Sequence, residues 1–127
     1  MSSKPAPPPL RVLYIEDNAL VREITCDLLA DDMYEIVAVA TGEEALTAFK
    51  AGSFDIVVTD VSLPAMSGLE LVRHLKEIAP SVPIILASGY QLDPDFWRLG
   101  TKIRAITKPF TAPELQAMIQ DMCGAPA

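Results

Sequence analysis

The sequence predicts an α/β fold, a doubly wound five-stranded parallel sheet with helices on both faces. Two patterns predict it. Short apolar runs alternate along the chain with longer segments whose apolar residues recur at helical spacing. The runs VLYI, IVV and IIL also lack the polar alternation of a half-exposed strand, as expected of strands covered on both sides.

Arg11 to Ile15 reads as the first strand and Ala19 to Ala30 as a helix in which Leu20, Ile24 and Leu28 repeat. Tyr34 to Val39 is a second strand. Thr41 to Ala51 is a helix opened by the capping box Thr41-x-x-Glu44, whose side chains satisfy early backbone amides, and ended by Gly52. Asp55 to Thr59 is a third strand. The helix Ser67 to Ala79 starts with a second box, Ser67-x-x-Glu70, and stops at Pro80. Pro83 to Ala87 and Ile103 to Thr107 complete the strands. Thr111 to Met122 is the last helix, with a third box, Thr111-x-x-Glu114, and an apolar stripe of Leu115, Met118, Ile119 and Met122. Between Tyr90 and Gly100 the stretch QLDPDFWRL has a central proline and few periodic apolar positions, so a helix there is expected to be short or irregular, with Phe96 and Trp97 as core anchors.

A chain of 127 residues, 50% apolar, fits one compact domain, placed at residues 10–123 with a short tail at 124–127. Pro5, Pro7, Pro8 and Pro9 make residues 1–9 an extended, disordered arm. A net charge of -7 leaves no basic stripe for a phosphate backbone, which argues against direct nucleic-acid binding. No run is long enough to span a membrane and no signal peptide is recognisable, so a soluble cytoplasmic protein is expected. Cys26 and Cys123 lack metal-ligand spacing and read as packed, reduced thiols, and His74 reads as a surface residue. The methionines need no cofactor, and no GxGxxG follows the first strand, which disfavours a dinucleotide site.

Right-handed crossovers make the flavodoxin-like strand order 2-1-3-4-5 the most economical arrangement. The first and third strands are then neighbours, and their carboxyl ends flank the point where open α/β sheets hold ligands. Glu16 and Asp17 follow the first strand and Asp60 ends the third, so three carboxylates converge. Their mutual repulsion calls for raised pKa values or a bound cation, and an all-oxygen site suits Mg²⁺. Ser88 near the end of the fourth strand and Lys108 past the fifth add a hydroxyl donor and an ammonium. Together they provide what an aspartyl phosphate on Asp60 requires, hydrogen bonds and charge balance.

With these residues in place the sequence resembles the receiver domain of two-component response regulators, from about Arg11 to Met122. The resemblance rests on VLYIEDN at 12–18, DIVVTDVSLPAMSGLE at 55–70, ILASGY at 85–90 and ITKPF at 106–110. It implies phosphotransfer from a histidine kinase or phosphotransfer protein to Asp60, and signalling to a downstream protein partner. It implies that Asp17, Asp60 and the backbone carbonyl of Ser62 contact Mg²⁺, with Glu16 acting through water. Ser88 takes the place of the Ser/Thr switch residue and Lys108 that of the invariant lysine, with a cis Lys108–Pro109 bond. One departure stands out: the position three before the lysine, where the family usually carries a switching aromatic, is Ala105. Tyr90 is a partial replacement for it. The ASGY pattern is more similar to receivers attached to, or acting beside, sensor kinases.

No effector domain follows the last helix, so a stand-alone or module-type receiver is the leading expectation. An Asp-nucleophile phosphohydrolase of the haloacid-dehalogenase type is an alternative, but its DxD motif is broken here by Ser62. A phosphate-independent scaffold is another, against which the complete set of acids and lysine argues.

Overall fold

The computed structural model describes residues 9–30, 33–92 and 98–123. The elements run β1 (Leu10–Ile15), α1 (Ala19–Leu29), β2 (Tyr34–Val39), α2 (Gly42–Ala51), β3 (Ile56–Asp60), α3 (Gly68–Ile78), β4 (Ile84–Ser88), β5 (Ile103–Thr107) and α4 (Ala112–Cys123). The five strands form one sheet in the order β2-β1-β3-β4-β5, and every pairing is parallel. The expected class, order and two helical layers are all present. The proline-rich arm, the C-terminal tail, Phe96 and Trp97 lie outside the described residues.

Side chains of a strand point alternately to its two faces, and here each face has its own core. Val12 and Tyr14 of β1, Ile56 and Val58 of β3 and Ile85 of β4 pack with Leu29 of α1 and with Leu115 and Ile119 of α4. Leu13 and Ile15, Val57, Ile84 and Leu86 point the other way, against Ala45 of α2 and Leu71, Val72 and Leu75 of α3. Burial on both faces is why the VLYI, IVV and IIL runs of β1, β3 and β4 carry no polar alternation.

The helix starts follow the side chains expected to cap them. The Glu44 amide donates to Thr41 Oγ1, the Glu70 amide to Ser67 Oγ and the Glu114 amide to Thr111 Oγ1. At Thr111 the box is reciprocal, with the Thr111 amide donating back to Glu114 Oε1 at 3.3 Å. α1 is capped by Asn18, whose Oδ1 accepts from the Val21 amide.

Helix α1 departs from the usual correspondence between period and burial. Its repeating Leu20, Ile24 and Leu28 face solvent, 65%, 49% and 60% exposed, and Leu29 is its one buried residue. Lys76 of α3 reverses the expectation for a charged residue. It is 8% exposed, and its ammonium donates to the carbonyls of Pro80, Val82 and Thr101. Burial, then the nearby Lys102, pushes its pKa below the ordinary lysine value.

Candidate functional site

Glu16 and Asp17 past β1, Asp60 at the end of β3 and Lys108 past β5 come together at the carboxyl edge of the sheet, and Ser88 ends the neighbouring strand β4. Asp60 is the last residue of β3, one position further than the strand expected to end at Thr59. It is held from both sides: Lys108 Nζ lies 2.8 Å from Oδ2, and the Ser62 amide donates to Oδ1 at 3.2 Å. The Ser62 contact seen is thus through its N–H.

Glu16 is buried beside it. The same Lys108 ammonium is 2.9 Å from Glu16 Oε1, and the Asn18 amide donates to Oε2. Burial draws the Lys108 ammonium toward neutrality, but the hydrogen bonds and charges of Asp60 and Glu16 outweigh it and hold its pKa above the ordinary lysine value. Asp17, the third acid, is exposed. Each acid offers one oxygen, and the three oxygens lie within 4.8 Å of one another. Such a hard oxygen-only set fits a Mg²⁺ ion that keeps part of its water shell.

Ser88 closes β4, where the β3–β4 register sets Ala87 opposite Asp60. Its carbonyl accepts from the Lys108 amide at 2.8 Å, so the two strand ends are tied by backbone. Its hydroxyl is already engaged: Oγ donates to the Tyr90 carbonyl at 2.8 Å and accepts from the Tyr90 amide at 3.2 Å. The Lys108–Pro109 bond is cis, as the resemblance implied. Ala105 lies on edge strand β5 and borders an open cavity of about 240 Å³ shared with Ser88, Tyr90 and Leu92. Tyr90 does not fill it; the residue is 58% exposed.

Sequence reasoning missed Gly68. A methyl group there would overlap the Asp60 carbonyl oxygen and come within 2.8 Å of Val61 Cα, so α3 can start this close to the acceptor strand only from glycine. The Gly68 amide uses that proximity to donate to Val61 O at 2.9 Å. The only advance signal was its place in the SGLE motif.

Comparison with known proteins decides the family, because the profile of the response regulator receiver domain matches residues 12–120. The chain belongs to the response regulator receiver domain family. The receiver is 35% identical over 124 residues to the alkaline phosphatase synthesis transcriptional regulatory protein SphR of Synechococcus elongatus, a match covering 88% of this chain and 48% of SphR. It spans about half the length of several curated relatives it matches. Among solved structures it superposes on the response regulator TrrA of Thermotoga maritima, in complex with Mg(2+)-BeF, with a TM-score of 0.80 at 28% identity over 89% of this chain and 98% of that one. It also superposes on the receiver domain of sensor histidine kinase PA1611 of Pseudomonas aeruginosa, which has a magnesium ion in the active site cleft. That match has a TM-score of 0.76 at 27% identity over 92% of this chain and 99% of that one. The chain is therefore a two-component receiver domain, a signalling domain, with an acidic cluster of the kind at which receivers bind Mg²⁺. No helix among the described residues is long and apolar enough to cross a membrane.

Proposed function

We propose that this receiver, residues 10–123, takes a phosphoryl group onto Asp60 from the phosphohistidine of a histidine kinase or phosphotransfer protein and signals to a protein partner. The observation that carries this reading is the Lys108 ammonium set against both Asp60 and Glu16. An oxygen of Asp60 attacks phosphorus in line, the P–N bond to the donor imidazole breaks, and the imidazole leaves with the electron pair. Lys108 balances the charge that arrives on Asp60, and the Ser88 hydroxyl donates to a phosphoryl oxygen. Mg²⁺ bound by Asp17, Asp60 and the Ser62 carbonyl, with Glu16 acting through water, would supply Lewis-acid neutralisation of the phosphoryl oxygens.

Giving the Ser88 hydroxyl proton to phosphoryl breaks the bond it donates to the Tyr90 carbonyl. That gives the 90–92 segment a reason to move with phosphorylation although residue 105 is alanine. For the donor, an open groove of about 360 Å³ lies next to the acceptor, lined by Val21, Thr25, Lys108, Pro109 and Phe110. With the exposed Leu20, Ile24 and Leu28, it offers an apolar seat for a donor helix within reach of Asp60.

The test is exposure to Mg²⁺ with acetyl phosphate or beryllofluoride, followed by intact mass and ¹⁹F NMR. Wild type should gain one phosphoryl group, or one bound fluoroberyllate, and Asp60→Asn neither. An unmodified wild type, or equal labelling of Asp60→Asn, would overturn the reading.

A further inference from the structure

Arg22 sits in the first turn of α1 and has no part in the assignments above. Its Nη1 donates to the backbone carbonyl of Glu16 at 2.7 Å. Side chains on a helix lean toward its N-terminus, which lets Arg22 reach back six residues to the end of β1. The carbonyl it holds belongs to the peptide that joins Glu16 to Asp17.

The two acids on either side of that peptide are fixed by different means. Glu16 is held by its own side chain, through Lys108 and the Asn18 amide, and its amide donates to Val39 O. Among the described residues no hydrogen bond or ion pair reaches the Asp17 carboxylate. The direction in which Asp17 leaves the backbone therefore depends on the orientation of its peptide plane, and the Arg22 guanidinium is the side chain that grips that plane. We propose that Arg22 is a positioning residue for Mg²⁺, holding the Glu16–Asp17 peptide so that the Asp17 carboxylate faces Asp60. This rests on the reading that these acids bind Mg²⁺.

Arg22 carries the same sign of charge as the metal, so its electrostatic effect opposes its geometric one. The two have opposite signatures. If geometry dominates, loss of the guanidinium weakens Mg²⁺ binding; if charge dominates, loss tightens it.

The experiment is calorimetric titration of the full chain with MgCl₂ alone, in wild type, Arg22→Met and Arg22→Lys, with thermal melting in the absence of metal. Arg22→Met should weaken Mg²⁺ affinity at least about fivefold, and Arg22→Lys, which keeps a donor, should recover part of the loss. In acetyl phosphate labelling, the Mg²⁺ concentration for half-maximal rate should rise by the same factor, with the rate at saturating Mg²⁺ close to wild type. Unchanged or tighter Mg²⁺ binding in Arg22→Met overturns the proposal, as does a lowered melting temperature with unaltered affinity. Should Arg22→Met not fold, Arg22→Lys decides alone: weaker Mg²⁺ binding at an unchanged melting temperature supports the role, and wild-type affinity removes it. Failure of wild type itself to bind Mg²⁺ overturns the metal reading as a whole, a result distinct from any difference between variants.

Discussion

Lys108 lies 2.8 Å from Asp60 and belongs to the same ammonium-centred cluster as Glu16, so it occupies the carboxylates that a metal ion would use. Removing it has two opposite effects. Lys108→Met should lower stability without metal, by roughly 1–3 kcal/mol, because two buried carboxylates are left without a cation. The same variant should bind Mg²⁺ more tightly than wild type, since the competing charge is gone. Urea unfolding in chelator, and calorimetric titration with MgCl₂, check the two halves.

Gly68→Ala should destabilise the fold by about 2–4 kcal/mol, because the added methyl meets backbone at Asp60 and Val61 and no side chain can yield. Acetyl phosphate labelling of Asp60 should slow even at temperatures where the variant stays folded. Labelling at the wild-type rate would show that α3 can withdraw without moving Asp60.

Lys76 should give an unusual pH dependence. Its pKa is lowered from 10.5 in the folded state, by burial first and Lys102 second. Between that lowered value and 10.5 the unfolded chain holds a proton that the folded chain has released, so the stability contributed by this group rises with pH there and is flat below. Lys76→Met should lack that rise. It should also be less stable at neutral pH, by about 2–4 kcal/mol, because the carbonyls of Pro80, Val82 and Thr101 lose their donor. Chemical denaturation of both proteins from pH 7 upward measures the two effects.

The solvent-facing stripe of α1 separates folding from partner recognition. Leu20→Lys and Leu28→Lys should change stability by no more than about 0.5 kcal/mol, since both side chains are already exposed. Phosphotransfer from a phosphohistidine donor protein should fall about tenfold or more, while labelling by acetyl phosphate stays at the wild-type rate. A parallel loss with both donors would place the defect at Asp60 itself.

These contrasts show which features could be read in advance. The parallel sheet was legible because Val57, Val58, Ile84 and Ile85 are buried on both faces, which leaves an unbroken apolar run. The helix starts were legible because Thr41, Ser67 and Thr111 act on amides three residues away. The meeting of Glu16, Asp60 and Lys108 followed once the strand order was known. Local pattern could not show that Leu20, Ile24 and Leu28 face outward, since a period identifies a helix face and not its surroundings. Nor could it show that Lys76 is caged, because one of its acceptors, Thr101, is 25 positions away. The Arg22 contact depends on how the chain turns from β1 into α1.

The division of each strand between two cores has a consequence for how this chain can change. Adding or deleting one residue within β1 would hand Leu13 and Ile15 to the core built for Val12 and Tyr14, and would turn Glu16 to the opposite side of the sheet from Lys108. The strands therefore behave like a reading frame. Substitutions of similar volume can accumulate inside them, whereas changes in length must fall in the connections.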